Sequence, residues 1–188
     1  SPIYLASSYP FIDQEKKRYP RYFNTPNQEV IAAKLAALEN AEAALPFSSG
    51  MAAISTTLLS FLKHGDHAVF QNEIYGGSFN LIQKEFDGFG IEFSLTKGID
   101  IQDFEEAILP NTKVIYIETP SNPLLSITDV RAIAELARTR GIISIIDNTF
   151  ASPLNQTPLD MGIDISLHSA TKYLGGHSDI CAGVVAGS

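Results

Sequence analysis

Between Asp66 and Thr171 the chain alternates short apolar runs with helix-forming segments, and this alternation restricts its fold more than any other feature. The runs are HAVFQ, IEFSL, KVIYIE, IISIID and DISLHSAT. Separating them are a helical segment around Ser78 to Phe86, then DIQDFEEAIL, then DVRAIAELARTRG. Strands that are apolar on both faces and divided by helices imply a parallel sheet covered on both sides, so the expected class is α/β. Upstream, QEVIAAKLAALENAEAA (Gln28 to Ala44) is rich in strong helix formers and predicts a helix with Val30, Ile31, Leu35, Leu38 and Ala41 on one face. MAAISTTLLSFLK predicts a second helix, and ICAGVVAGS reads as the start of another apolar strand.

Composition narrows the function classes. Thirteen Lys plus Arg stand against 21 Asp plus Glu, a formal charge of −8, which disfavours a general binder of nucleic acid or anionic membranes. No apolar run approaches the roughly 18 residues of a membrane span, and SPIYLASSYPF lacks the basic flank and apolar core of a signal peptide. The expectation is a soluble, cytoplasmic protein. One cysteine, Cys181, excludes an internal disulfide framework and reads as a small buried hydrophobe. His64 and His67 share a turn and His168 and His177 flank a lysine segment, without a paired ligand spacing, so no metal is expected.

Residues 1–27 have a different texture, with Pro2, Pro10, Pro20 and Pro26, several Tyr and Phe, and the cations Lys16, Lys17, Arg18 and Arg21. Such a stretch cannot form a regular helix and reads as an ordered arm, either a surface lead-in or a partner surface. The expected organisation is an arm over 1–27 followed by one domain over 28–188. That domain is expected to be incomplete, because the chain breaks off in an apolar strand.

In open α/β sheets ligands gather beyond the carboxyl ends of the strands. Glu118 closes KVIYIE, Asp147 closes IISIID, and Lys172 follows DISLHSAT, so parallel strands would put all three on one rim. Lys172 is the only Lys or Arg between Gly141 and the end of the chain. It reads either as a surface residue with a buried stem or, given its place between Ser169, Thr171 and the Gly175-Gly176 pair, as a nucleophile or Schiff-base lysine. Asp147 reads as a turn residue or as a buried carboxylate that holds a ligand cation, and Glu118 as a turn organiser or a site residue. Ser48-Ser49-Gly50-Met51 opens a helix, whose free N–H groups suit an anion such as phosphate. Tyr75, ahead of Gly76-Gly77, is a turn aromatic or a platform for a planar ring.

A lysine, an acid, a stacking aromatic and a phosphate cradle are the parts needed to hold pyridoxal 5′-phosphate. The ordered motifs SSGMAA (48–53), YGG (75–77), ETPSNP (118–123), DNTF (147–150) and SATKYLGGHSD (169–179) resemble those of the Cys/Met metabolism family of pyridoxal-phosphate enzymes. That family includes cystathionine γ-synthase, cystathionine γ-lyase, cystathionine β-lyase and methionine γ-lyase. The resemblance implies the large domain of aminotransferase-like, fold type I enzymes. It implies that Lys172 carries the cofactor, Asp147 pairs with the pyridine nitrogen and Tyr75 stacks on the ring. Gly50, Met51, Ser169 and Thr171 would form the phosphate cup, and Asn122 and Glu118 would line the cofactor face. Tyr19-Pro20-Arg21 matches a Tyr-x-Arg that reaches the phosphate of a neighbouring subunit, implying a dimer with shared sites and a homotetramer.

Two departures stand out. After the arginine the family usually continues small-Gly-Asn-Pro-Thr, whereas this chain has Tyr22-Phe23-Asn24-Thr25-Pro26. Family members are also longer, and the C-terminal domain, with the arginine that grips the substrate carboxylate, is expected to lie outside this chain. Methionine-cleaving members commonly carry Cys where this chain has Gly77. The resemblance therefore favours a carbon–sulfur lyase acting on cystathionine or related amino acids, with γ-replacement on O-acylhomoserine as the alternative. Two other readings are a phosphoryl-transfer enzyme using Asp147, which leaves Lys172 and Tyr75 without roles, and a Rossmann-type nucleotide module, for which no G-x-G-x-x-G follows the first strand.

Overall fold

The structure, a computed structural model, describes residues 2–187. Its elements follow in the order α1 (Pro26–Glu39), β1 (Ala43–Phe47), α2 (Gly50–Phe61), β2 (His67–Phe70), α3 (Gly76–Phe89), β3 (Glu92–Leu95), α4 (Ile101–Ala107), β4 (Thr112–Glu118), α5 (Val130–Arg140), β5 (Ile143–Asp147), the short α6 (Ser152–Asn155), β6 (Ile165–His168) and β7 (Gly183–Gly187). The seven strands form one sheet in the order β1-β7-β6-β5-β4-β2-β3, in which only β7 runs against its neighbours. The mostly parallel α/β sheet expected from the apolar runs is therefore the sheet observed.

Strand β4 shows why those runs are apolar throughout. Val114 and Tyr116 face one core with Leu58, Phe70, Ile82 and Phe86, while Ile115 and Ile117 face a second core with Phe104, Ile133 and Ile146. Successive side chains of a strand point to opposite faces, so a sheet with helices on both sides must be apolar at every position. Burying an aliphatic side chain of this size is worth roughly 1.5–3 kcal/mol, so the central strands contribute heavily to the core.

The first helix departs from expectation. It ends at Glu39 because Asn40 adopts the left-handed conformation (φ 54°), and Ala43–Phe47 leaves the helix to pair with β7. Ala and Glu favour helix locally, but the strand pairing across the sheet overrides that preference. Pro46 is tolerated there because β1 is an edge strand. Nor does α1 bury its predicted apolar face. Ile31 and Leu38 are about half exposed, and the buried residues are Ala36 and Glu39.

Before α1 the arm holds only a 3-10 turn, Pro20–Tyr22, and is fastened to the helix. Arg18 donates to Glu29 at 2.8 Å, Lys16 pairs with the same carboxylate, and Gln28 Nε2 donates to the Pro20 carbonyl at 3.0 Å. Thr25 and Gln28 cap the helix reciprocally, so the entry into α1 is fixed at several points.

Candidate functional site

Strand order reverses between β2 and β4: the chain runs outward from β2 to β3, then returns to the other side of β2. Such a switch point opens a crevice at the carboxyl ends of the strands. A cleft of about 680 Å³ lies on that side, lined by Ser49, Gly50, Met51, Tyr75, Glu118, Asn122, Asp147, Ser169, Thr171 and Lys172. Nine of the eleven residues singled out from sequence thus share one cleft. The other two, Tyr19 and Arg21, lie on the exposed arm, where Arg21 donates to the Tyr19 hydroxyl and sits over its ring.

Asp147 ends β5 and is buried. Its Oδ1 accepts the Thr149 N–H at 3.0 Å, and its Oδ2 has the Tyr116 hydroxyl at 3.4 Å. It therefore shapes the turn, as one sequence reading has it, and is also a buried carboxylate. Burial pushes its carboxyl upward against the pull of the Thr149 donors.

Glu118 faces Asp147 in register at the end of β4. Its Oε2 accepts the Tyr75 N–H at 2.7 Å and its Oε1 the Asn122 N–H at 3.0 Å. Burial first, then the nearby Asp147, raise its pKa to about 7, opposed by those two donors. Two crowded carboxylates suit a ligand that brings a positive charge to this end of the cleft.

The opposite end suits an anion. Ser49 accepts the Ala52 N–H at 3.0 Å and so caps α2, while the amides of Gly50 and Met51 stand at the helix terminus where the dipole favours negative charge. A Cβ on Gly50 would lie 2.7 Å from Ser169 Cβ, so glycine is needed for α2 to approach the segment after β6. Ser169 brings its hydroxyl to this contact. Thr171 is more committed, its hydroxyl donating to the Ala182 carbonyl at 3.2 Å and accepting the Ala182 N–H at 3.0 Å.

Lys172 is exposed to the cleft on a tight turn closed by Gly175 N–H to Ala170 O and Gly176 N–H to Lys172 O, both 2.8 Å. A Cβ at Gly175 would press on the Ala170 carbonyl at 2.8 Å, and Gly176 has φ +78°, which accounts for both glycines. Tyr75 is about half exposed, with its ring beside Gly77. Cys181 corrects its sequence reading: it is exposed and lines the cleft instead of filling a core. A segment from 176 to 182 with little secondary structure leaves it uncovered.

Some of the site was not anticipated. Phe150 and Tyr173 form an edge-to-face pair, centroids 5.9 Å apart, at the cleft wall. Behind the cleft Glu39 is buried with His168, and its Oε1 also accepts Asn148 Nδ2 at 3.1 Å. The helix α1 is thereby clasped to the residues that follow Asp147 and precede Ser169. Nothing local marks Glu39, whose partner lies 129 residues away.

The family model for Cys/Met metabolism PLP-dependent enzymes matches residues 1–188. The chain belongs to this family. Cystathionine beta-lyase MetC of Bacillus subtilis is 48% identical over 162 residues, 86% of this chain and 41% of that protein. Cystathionine gamma-synthase of Mycobacterium bovis is 46% identical over 160 residues, 85% of this chain and 41% of that protein. The crystal structure of cystathionine gamma-lyase from Lactobacillus plantarum superimposes with a TM-score of 0.94 at 47% identity, covering 100% of this chain and 49% of that one. The chain thus spans about half, or less, of the length of these family members. Pyridoxal 5′-phosphate is the cofactor of the family, and the cleft fits it: amides and a hydroxyl suited to a phosphate, buried acids suited to a ring cation, and a lysine in the same lining. Among the described residues no helix is long and apolar enough to cross a membrane.

Proposed function

We propose that the full-length enzyme is a carbon–sulfur lyase of sulfur amino-acid metabolism, eliminating at the β or γ carbon of cystathionine or a related amino acid. The observation that carries this reading is the convergence of Lys172, Asp147, Tyr75 and the Gly50–Met51 helix terminus on one cleft. When bound, pyridoxal 5′-phosphate supplies an electron sink for negative charge generated at the substrate Cα. Lys172 Nζ would hold the cofactor aldehyde and would serve as the acid and base that moves protons at the substrate Cα and Cβ. Asp147 keeps the proton on the ring nitrogen, its burial strengthening that pairing. The Tyr75 ring would stack on the pyridine, and Asn122 would line the cofactor as well. The Gly50 and Met51 amides with Ser169 and Thr171 receive the phosphate. Residues 28–188 form the cofactor-binding part and residues 1–27 the arm. The arm carries Tyr19 and Arg21 to the phosphate of a neighbouring subunit, in a homo-oligomer working in the cytoplasm.

Gamma-replacement on O-acylhomoserine is the second reading, supported by 46% identity to a gamma-synthase. The full-length protein should be assayed on cystathionine alone and on O-acylhomoserine plus cysteine. Release of a keto acid with a free thiol from cystathionine supports the lyase. Cystathionine formation without that release supports the synthase, and failure of both ends the proposal.

A further inference from the structure

We infer that Glu118 is a positioning residue: its carboxylate staples the Tyr75 segment to the Asn122 segment and so sets the two walls between which the cofactor ring lies, without itself being a cofactor ligand. The inference rests on the functional reading above only in its last clause. Both carboxylate oxygens are already engaged, Oε2 by the Tyr75 N–H at 2.7 Å and Oε1 by the Asn122 N–H at 3.0 Å. The two amides belong to loops 47 residues apart, one leading into α3 and the other following β4.

Glu118 is itself held rigidly. Its carbonyl accepts Gln71 Nε2 at 2.9 Å, and Gln71 Oε1 in turn accepts the Thr128 hydroxyl at 3.0 Å, tying the end of β4 to the end of β2. Besides its bond to Glu118, Tyr75 has a local backbone bond, its carbonyl accepting the Phe79 N–H at 3.0 Å in the first turn of α3. It occupies the N-cap position of α3 without a side-chain cap, its ring is about half exposed, and Gly76 and Gly77 follow directly. Gly76 and Gly77 open α3 without side chains to pack the Tyr75 segment against its surroundings, so its tie to the rest of the cleft comes from Glu118. A carboxylate at the amino end of α3 also meets the favourable end of the helix dipole. A carboxyl group presents two oxygens on one short side chain, so a single Glu can take an amide from each segment.

The test uses the full-length protein, with and without pyridoxal 5′-phosphate, and the variants Glu118→Gln and Glu118→Asp. The first keeps the shape but places an amide N–H against one backbone donor. The second keeps the charge but is one methylene too short to reach both. Hydrogen exchange is followed by mass spectrometry in peptides covering residues 72–80 and 117–126, with 130–140 as the internal reference, and cofactor affinity by visible absorbance. In cofactor-free protein both variants should exchange faster in the two segments, by roughly tenfold for a lost hydrogen bond, with the reference unchanged. Cofactor affinity should fall as well, because binding must then order the walls. Unchanged exchange in both segments would overturn the inference, whether or not affinity falls. So would faster exchange that extends equally into 130–140, since that is a general loss of stability. A protein that never takes up the cofactor would sink the functional reading, while the exchange data would still decide the staple.

Discussion

Glu118 and Asp147 stand side by side in register at the carboxyl ends of β4 and β5, two buried acids on neighbouring strands. Their roles divide by what each oxygen meets. Glu118 spends both oxygens on backbone amides, whereas Asp147 has one backbone donor and a long contact from a tyrosine hydroxyl, leaving it able to hold a cation.

Asp147→Asn should leave the fold intact and lower turnover at least a hundredfold. An amide cannot hold a ring-nitrogen proton, and leaving a buried charge unpaired costs on the order of 3 to 5 kcal/mol, each 1.36 kcal/mol being tenfold in rate. Steady-state kinetics with a circular dichroism check decides it, and turnover close to wild type would remove Asp147 from this role.

Stability of the cofactor-free protein should fall as pH rises from about 4.5 to about 7. Glu118 has a folded pKa of about 7 against an ordinary 4.5, so over that interval the folded state binds more protons than the unfolded one. Its contribution is fully present below 4.5 and lost as pH passes 7. A shift of this size is worth on the order of 3 kcal/mol. Denaturant midpoints measured across the interval should decline in wild type and flatten in Glu118→Gln, and equal slopes in the two proteins would contradict the assignment.

Glu39→Ala should destabilise the protein by about 3–5 kcal/mol, because it strands a buried His168 and frees Asn148 Nδ2. Replacing both partners together, Glu39→Leu with His168→Phe, should recover most of the loss. Urea unfolding of wild type, Glu39→Ala, Glu39→Leu, His168→Phe and the double variant completes the cycle, and a double loss equal to the sum of the two single losses would show that the pair is not coupled.

An Arg21→Ala chain and a Lys172→Ala chain should each be nearly inactive in the full-length enzyme, and subunits mixed and reassembled should regain part of the activity. Arginine suits the cross-subunit role because its planar fork donates two hydrogen bonds to a phosphate. Proven reassembly without recovered activity would show that the arm serves its own chain.

How far the sequence could be read depended on how local each signal was. KVIYIE and IISIID announced their strands and ended on the two acids, because a strand covered on both faces must be apolar and its end must meet the crevice. SATKYLGG likewise gave both the lysine and the glycines that its turn requires. The exit from α1 was hidden, since Ala43 and Ala44 look helical until β7 is there to pair with them. Cys181 was misread because an apolar neighbourhood in sequence does not guarantee a covering layer in space. Glu39 and the doubly bonded carboxylate of Glu118 depend on partners far along the chain, and no spacing rule reveals them.

The covalent site offers the most direct measurement. The full-length protein, reconstituted with pyridoxal 5′-phosphate, is reduced with borohydride, digested and mapped by mass spectrometry. The pyridoxyl group should be found on Lys172, in the peptide containing Ser169-Ala170-Thr171. A label on a different lysine, or no label despite a saturated cofactor spectrum, would contradict the assignment of the site.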